Sequence, residues 1–269
     1  MKLGIVVVYF VSKENIKLMH IHLERIAAHT TVPYTIYGLI NSNPKRTLPK
    51  VLKKLERTPN LQIVKRLRPD LSMFGESAAL PVIEHAYYLD QLVRVAFQDG
   101  CSHIATLHVD SFPVKDRWDQ ILIDSLKRRC HLTAIQRIED KDAKPHPSGM
   151  LFTANFYRKY RPTFRLQAAD YSSPDFKKYV EENDGLIIRD SGVGYGFRMW
   201  ECGLEWIPLK RSNKNEDHHL FGGIYGDCLF HVGGAVRDIR KPEYIEAGEG
   251  VWRELCFDHV KYINHLRGV

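Results

Sequence analysis

The sequence has few cysteines and no arrangement of them that would hold a fold together. Its 269 residues contain five, none in a Cys-x-x-Cys pair: Cys101, Cys130, Cys202, Cys228 and Cys256. An odd number of scattered cysteines without a secretory signal argues against a disulfide framework and against a structural zinc site. We therefore expect the protein to work in a reducing compartment.

Long apolar runs are also missing. The apolar stretch at residues 3–11 is far shorter than the roughly 20 residues that are needed to span a bilayer. No small-residue cleavage site of a signal peptide follows it. We expect no transmembrane segment and a cytoplasmic location, either in solution or peripheral to a membrane.

Positive charge is in excess, but it is not concentrated in one segment. The 39 Lys and Arg residues against 32 Asp and Glu give a formal net charge of +7, which favours a phosphorylated or polyanionic partner. The basic residues are spread over many predicted helices and lack the stripe or aromatic motif of a nucleic-acid-binding module. We expect no nucleic acid partner. The 44% hydrophobic and 26% charged residues are ordinary for a folded globular protein.

Strands and helices alternate along the first half of the chain. Residues 3–11 and 103–110 are dense in apolar and β-branched side chains and predict buried strands, and residues 33–43 and 61–67 predict two more. Predicted helices at residues 15–30, 49–58 and 83–99 separate them. This order predicts an α/β fold with a parallel sheet covered by helices. No repeat or linker divides the chain, so we expect one domain over residues 1–269.

The second half is less regular. We predict a helix at residues 118–129, a strand at 132–138, a polar loop at 139–148 that contains two prolines, and a short strand at 185–190. A helix at residues 196–203 and a strand at 204–209 follow.

A polar pair ends the strand at residues 103–110. His108 and Asp110 are two residues apart on an extended chain, so their side chains point to the same side. Ligands in open α/β sheets bind beyond the carboxyl ends of the strands, and an imidazole and a carboxylate there could hold a divalent cation. The alternative is that Asp110 caps the following turn while His108 only packs.

The pair belongs to the segment ATLHVDSFPV. This segment resembles the Asp-x-Asp region of the GT-A glycosyltransferases, in particular those similar to family 2. In that family a short helix packed by an aromatic residue follows the motif. Three later segments also resemble this family: HPSGMLFTANFYRKY, RDSGVGYGFRMWECGLEWIP and GGIYGDCLFHVGGAVR. The resemblance spans roughly residues 3–237. It implies a GT-A-like nucleotide-diphospho-sugar transferase fold, with a mostly parallel central sheet flanked by helices.

The resemblance implies a metal site with an unusual donor set. Asp110 takes the place of the second Asp, which contacts the cation in this family, and His108 stands in the first position. His231 corresponds to the late metal-binding histidine; its alternative role is that of an ordinary core histidine. The implied cofactor is Mn²⁺ or Mg²⁺, with diphosphate oxygens and water completing its shell.

The resemblance also implies a catalytic base. Asp190 ends the predicted strand at residues 185–190 and precedes a glycine-rich turn. In inverting members an acidic residue here removes the proton from the acceptor hydroxyl. The alternative is an Asp that caps the next helix. A dinucleotide-binding turn is a further reading of these glycines, but their spacing is G-x-G-x-G and they lie late in the chain.

Candidate nucleotide contacts follow from the same resemblance. Tyr9 and Phe10 end the first strand, and Asn41 and Asn43 follow the second, where family members bind the base; otherwise the aromatics are core residues and the asparagines form a turn. The candidates for the ribose are Glu76, Ser77 and His85. Gly149 lies in the implied donor loop, and the polar segment with His218 and His219 predicts a lid.

These features together predict an enzyme that transfers a sugar from a nucleotide-diphosphate sugar to a hydroxyl acceptor, which is a glycan, a lipid-linked molecule or another alcohol. Two alternatives use the same cleft. One is a non-catalytic protein that binds a nucleotide or a glycan, and the other is a nucleotidyltransferase.

Overall fold

A seven-stranded sheet forms the centre of the protein. The structure is a computed structural model that describes residues 1–10, 16–41, 49–67, 80–126, 130–216, 222–232 and 259–269. The predicted contacts Asn43, Glu76 and Ser77 and the predicted lid histidines, His218 and His219, lie outside these residues. The strands of the sheet are β1 (Leu3–Tyr9), β2 (Tyr34–Ile40), β3 (Leu61–Ile63), β4 (His103–His108), β6 (Cys130–Arg137), β7 (Asp142–Thr153) and β8 (Glu205–Leu209).

The order across the sheet is β3-β2-β1-β4-β7-β6-β8. Strand β7 pairs antiparallel with both β4 and β6, and the other ladders are parallel. The predicted class, an α/β fold with a mostly parallel central sheet flanked by helices, is therefore confirmed.

Helices cover both faces of the sheet. Alternate residues of β1 point to opposite faces, so that Ile5 and Val7 pack in one core and Val6 and Val8 in the other. The first core includes residues of α1 (Ile16–His29), α2 (Pro49–Glu56) and α4 (Trp118–Ser125). The second includes residues of α3 (Leu80–Gln98), α5 (Ala154–Tyr160) and α8 (Val193–Glu201). None of the helices in the described ranges is long and apolar enough to cross a membrane.

A small antiparallel sheet lies directly after β4. Its order is β5 (Ser111–Pro113), β10 (Leu229–His231) and β9 (Gly223–Tyr225), and His231 pairs with Ser111. The backbone N–H of Val232 donates to the carbonyl of Asp110 at 2.9 Å. Helix α9 (His259–Arg267) packs against this sheet, with Tyr262 beside Phe230. Two further helices, α6 (Ala168–Tyr171) and α7 (Pro174–Glu181), precede α8 in the chain.

Two predictions for the second half of the chain are wrong. Residues 139–148 are not a loop, because β7 begins at Asp142 after one turn of 3-10 helix. The pairing with β6 jumps from Met150 opposite Ala134 to His146 opposite Ile135, and a strand tolerates prolines at such a bulge. Residues 185–190 form no strand. Their Ile187 packs among the aromatic residues of α7 and α8 instead of joining the sheet.

Candidate functional site

Three side chains with metal-binding atoms meet at the end of β4. His108 is the last residue of β4, Asp110 follows it, and β10 brings His231 alongside. Asp110 Oδ1 lies 3.9 Å from His108 Nδ1, and its Oδ2 lies 3.8 Å from His231 Nε2. One ligand atom from each residue falls within 4.8 Å of the others. This separation suits a single cation between them.

The surroundings favour the form of His108 that binds a metal. Burial lowers the pKa of His108 to about 3, although the Asp110 carboxylate opposes the shift. The imidazole is therefore neutral at pH 7, and a metal ligand needs this free lone pair. Its Nε2 atom is buried and has no hydrogen-bond partner among the described residues. Asp110 and His231 are 5% and 2% exposed, so water competes little for their ligand atoms.

The donor set of two imidazoles and one carboxylate fits a transition-metal cation. Carboxylate and water suit Mg²⁺ and Mn²⁺, whereas imidazole suits the later transition metals. The residues present therefore fit a transition-metal cation better than Mg²⁺, and among these cations Mn²⁺ is the one that also suits carboxylate and water. His108 and His231 supply nitrogen where a pair of carboxylates would supply only oxygen.

A further histidine, His146, lies beside this cluster and was not identified from the sequence. Its ring centroid is 5.5 Å from that of His108 and 5.4 Å from that of His231. Arg137 donates to Nε2 at 3.3 Å, and Nδ1 lies 2.7 Å from Ser148 Oγ. Burial and then the Arg137 charge lower the pKa of His146 well below its usual value. His146 is thus a neutral, fixed neighbour of the metal-binding atoms. Its position inside a segment predicted to be a loop concealed it.

His22 supports the cluster from the other side. It is fully buried on α1, and its Nδ1 atom lies 2.7 Å from the carbonyl oxygen of Ser111. Burial lowers its pKa to about 4, so the neutral ring donates from Nδ1. This hydrogen bond holds the turn that follows Asp110. Because Ser111 Oγ also accepts from the N–H of His108 at 2.8 Å, the turn is fixed from two directions.

His85 connects this cluster to the Asp190 segment. The ring centroids of His85 and His108 are 4.7 Å apart, and His85 Nδ1 lies 3.0 Å from Ser191 Oγ. Burial and the neighbouring His108 lower the pKa of His85 to about 3, while Asp190 and Asp110 both act to raise it. His85 therefore lies between the strand end that carries Asp110 and the turn that carries Asp190. His85 was predicted to contact the ribose, which stays a prediction.

Asp190 does not cap the helix that follows it. The N-cap residue of α8 is Gly192, with φ of 99° and no side-chain hydrogen bond. The Asp190 carboxylate instead accepts from the N–H of Ser191. A Cβ on Gly192 would lie 2.4 Å from the carbonyl oxygen of Pro145. This close approach joins the Asp190 segment to the strand that carries His146.

The other glycines of α8 serve helix packing. A Cβ on Gly194 would lie 2.2 Å from the carbonyl oxygen of Thr163, and one on Gly196 would meet the Tyr179 hydroxyl at 2.4 Å. Both positions are buried against neighbouring protein atoms. The glycine spacing therefore has a packing explanation, and the reading as a dinucleotide-binding turn has no support in the structure.

The candidate nucleotide contacts at the strand ends differ in exposure. Phe10 is 41% exposed directly after β1, whereas Tyr9 is fully buried and packs edge-on against His22. Tyr9 thus has no free ring face for a nucleotide base, and it is a core aromatic residue, as the alternative interpretation predicted. Asn41 is partly exposed after β2 and accepts from the Arg66 guanidinium at 3.1 Å. Phe10 and Asn41 remain candidates for contact with the nucleotide base.

Gly149 is in a strand and not in a donor loop. It lies within β7 opposite Leu107. A Cβ at this position would meet Ile135 at 2.6 Å and Leu229 at 2.7 Å. The glycine is needed for close packing between the two sheets. Its predicted place in a loop is therefore wrong, because the bulged strand continues through it.

Similar solved structures are glycosyltransferases, the class that the sequence resembles. A mannosyltransferase from Pyrobaculum calidifontis, in complex with GDP-Man and Mn²⁺, is 11% identical with a TM-score of 0.41 over 58% of this chain and 46% of its own. Mouse xyloside xylosyltransferase 1 is 10% identical with a TM-score of 0.45 over 78% of this chain and 85% of its own. The galactosyltransferase LgtC, in complex with donor and acceptor sugar analogues, is 11% identical with a TM-score of 0.44 over 78% and 73%.

The chain spans less than half the length of the mannosyltransferase. No protein-family model matches the sequence, and no curated protein is detectably similar to it. With identities this low and TM-scores below 0.5, the function proposed below rests on the residues of the site.

Proposed function

We propose that this protein is a glycosyltransferase that moves a sugar from a nucleotide-diphosphate sugar to a hydroxyl acceptor with the help of a divalent cation. One observation carries the proposal: His108, Asp110 and His231 present ligand atoms within 4.8 Å of one another beyond the end of a central strand. Open α/β sheets bind nucleotides at this edge. The acceptor class is a glycan, a lipid-linked molecule or another alcohol.

Each group at the site has a role in this reaction. Asp110, His108 and His231 hold the cation: the two imidazoles favour a transition metal over Mg²⁺, and the carboxylate with water suits Mn²⁺. When bound, Mn²⁺ supplies charge neutralisation for the diphosphate leaving group. The low exposure of Asp110 and His231 keeps this electrostatic effect strong, because little water screens it.

Asp190 is proposed as the base that accepts the proton of the acceptor hydroxyl. The turn that carries it lies beside the metal-binding cluster, because Ser191 contacts His85 and the ring of His85 packs against His108. Asp190 is not engaged in capping α8, whose N-cap is Gly192. His85 and Ser191, in contact at 3.0 Å, hold the Asp190 segment against the metal-binding cluster. This role applies to transfer with inversion at the anomeric carbon.

The nucleotide is proposed to lie along the ends of β1 and β2. Phe10 offers a partly exposed aromatic face, and Asn41 with Arg66 offers polar contacts beside it. The strands are neighbours in the sheet, and β1 also pairs with β4. A base at Phe10 and a diphosphate at Asp110 would thus share one edge of the sheet.

The metal-dependent binding of the donor is the first test. The wild-type protein is scanned by thermal shift with UDP-, GDP-, CDP- and dTDP-sugars, with and without Mn²⁺. Binding at 100 times Kd stabilises the folded protein by about 2.7 kcal/mol. Asp110→Asn should abolish the Mn²⁺-dependent part of the shift. The matched control is Asp124→Asn, an exposed carboxylate on α4, which should leave it unchanged. Equal Mn²⁺-dependent shifts for all three proteins would remove Asp110 from the site.

Turnover separates this proposal from its two alternatives. A glycosyltransferase releases nucleoside diphosphate from the donor sugar, slowly even with water as acceptor. A binding protein gives the thermal shift without release. A nucleotidyltransferase instead consumes a nucleoside triphosphate and releases pyrophosphate. Two measurements decide among the three: release of nucleoside diphosphate from the donor that gives the largest shift, and release of pyrophosphate from the corresponding nucleoside triphosphate with a sugar phosphate.

A further inference from the structure

Two arginines flank Asp190 without a carboxylate partner among the described residues. Arg189 precedes Asp190, and Arg165 lies in the segment before α6. No described carboxylate lies within ion-pairing distance of either guanidinium. Arg165 and Arg189 thus present two positive charges on the segments around Asp190.

Both guanidinium groups are held by the same aromatic ring. The Cζ atoms of Arg165 and Arg189 lie 5.8 Å and 5.4 Å from the ring centroid of Tyr171. Arg189 also lies 5.6 Å from the ring of Phe176, which meets Tyr171 edge-on at 5.2 Å. Stacking against aromatic rings fixes the plane of a guanidinium and leaves its N–H groups free to donate.

Backbone contacts place these arginines beside the proposed base. The N–H of Gly192 donates to the carbonyl of Phe164 at 2.7 Å, so the residue before Arg165 touches the turn that follows Asp190. Gly194 packs on the carbonyl of Thr163, which reinforces this contact. The two segments therefore form one continuous surface. The contact of Ser191 with His85 then joins that surface to the metal-binding cluster.

We propose that Arg165 and Arg189 bind an anionic group of the acceptor, a phosphate or a carboxylate, and thereby select acidic sugars or sugar phosphates over neutral ones. This inference rests on the proposed function, because it assigns the acceptor side of that site. Guanidinium groups bind planar and tetrahedral oxyanions through paired N–H donors. An anion seated between Arg165 and Arg189 would place a neighbouring hydroxyl close to Asp190.

Charge balance supports the same assignment. Two positive charges on one ring repel each other, and Asp190 is the acidic group that acts with both arginines on the pKa of Tyr171. Burial raises that pKa, the two arginines lower it and Asp190 raises it. A single carboxylate leaves one positive charge in excess. An acidic acceptor supplies the missing negative charge, whereas a neutral sugar does not.

The first experiment uses the wild-type protein and compares pairs of acceptors in which one member is acidic and the other is neutral. Donor and Mn²⁺ are held constant, and release of nucleoside diphosphate is measured with glucose 6-phosphate against glucose and with galacturonic acid against galactose. Inorganic phosphate serves as a competitor. We expect at least tenfold lower KM for one acidic member of a pair, and the pair that shows it distinguishes phosphate from carboxylate. Equal KM values within both pairs would overturn the proposal.

The second experiment assigns the preference to the two arginines. Arg165→Gln and Arg189→Gln should each reduce the acidic-over-neutral preference about tenfold, as expected for the loss of one charged hydrogen bond. Arg158→Gln, an exposed arginine on α5, is the matched control and should keep the preference. Arg189→Lys keeps the charge without the fork of donors and should restore only part of it. A preference that survives in both Gln variants would exclude these arginines.

Binding without turnover keeps the two proposals separate. If no acceptor stimulates release, the thermal shift of each protein is measured with glucose 6-phosphate and with glucose. A shift with the phosphate alone that the Gln variants lack would support the anion site and contradict the glycosyltransferase proposal. Release of nucleoside diphosphate with water as acceptor, together with equal use of acidic and neutral acceptors, would support the glycosyltransferase proposal and contradict the anion site. Arg189 also contacts Phe176 and Arg165 does not. Comparison of the melting temperatures of Arg189→Gln and Arg165→Gln therefore shows any loss of stability that comes from this contact.

Discussion

The Nδ1 atom of His85 lies 3.0 Å from the hydroxyl oxygen of Ser191. This contact joins helix α3 to the turn that carries Asp190, and the ring of His85 packs edge-on against His108. The two proposed chemical tasks, holding the diphosphate and accepting the proton, are therefore mechanically connected through one imidazole. Replacement of His85 should therefore affect both tasks.

The first prediction concerns the choice of cation. With two imidazoles and one carboxylate, the wild-type protein should be stabilised more by Mn²⁺ or Co²⁺ than by Mg²⁺. His108→Asp replaces one nitrogen donor by oxygen, so it should raise Mg²⁺ affinity relative to Mn²⁺. Isothermal titration with each cation, in the absence of sugar nucleotide, measures the ratio. Identical Mg²⁺ to Mn²⁺ ratios in the two proteins would mean that His108 is not a ligand.

The second prediction concerns the base. Asp190→Asn can still accept the hydrogen bond from Ser191 N–H but cannot accept a proton at neutral pH. We expect a loss of transfer rate of about 10² to 10⁴, with donor affinity and melting temperature nearly unchanged. Asp184→Asn is the control, because Asp184 is exposed with φ of 54° and Asn tolerates that conformation. Normal turnover in Asp190→Asn would assign proton removal to another group.

The third prediction concerns the glycine turn. Gly192→Ala forces a left-handed backbone on a residue with a Cβ and also a contact of 2.4 Å with the Pro145 carbonyl. Gly203→Ala, at φ of 61° with no atom within 4 Å, carries only the first cost, about 1 to 2 kcal/mol. Chemical denaturation should therefore show a larger loss for Gly192→Ala. Equal losses would show that the Pro145 contact relaxes freely.

The fourth prediction concerns pH and stability. Burial raises the pKa of Asp90 to about 7, despite the Phe164 N–H and Arg94, against about 3.9 in an unfolded chain. The folded state therefore holds this proton more tightly, and the stability it confers is present below pH 4 and lost as the pH rises to about 7. Asp90→Asn should remove this dependence and be more stable than wild type at pH 8.

Unfolding free energies measured from pH 4 to pH 8 test this prediction. Asp99→Asn, an exposed carboxylate just after the same helix, should follow the wild-type curve. Parallel curves for wild type and Asp90→Asn would show that the Asp90 carboxyl titrates as an ordinary group in the folded protein.

The sheet could be predicted because its strands carry their own signal. Residues of β1 and β4 are apolar on both faces, as buried parallel strands must be. The prolines at positions 145 and 147 gave the opposite signal for β7, because the sequence does not show that a bulge accommodates them. The apolar residues 186–188 resembled a strand, but a strand needs a ladder, and the hydrogen bond from the Ala143 N–H of β7 to the Leu186 carbonyl is not extended into one.

The site could be predicted only in part for a related reason. His108 and Asp110 share one strand end, so their proximity follows from spacing alone. His231 joined them through resemblance to a family, and the structure brings all three together. His146, Arg165 and Ser191 had no such signal. Their positions depend on backbone contacts between distant segments, such as Gly192 with Phe164, which no local pattern encodes.

The pairing of β5 with β10 also makes the metal-binding cluster a reporter of folding. His231 faces Asp110 only in the register that sets it opposite Ser111, and a slip of one residue would turn its imidazole to the other side of the strand. These strands lie far apart in the sequence, so the cluster cannot assemble until a long chain segment has closed. A cation that binds the finished cluster therefore stabilises the correctly paired state alone. The rate at which Mn²⁺ affinity appears during refolding would therefore measure the rate at which β5 and β10 pair.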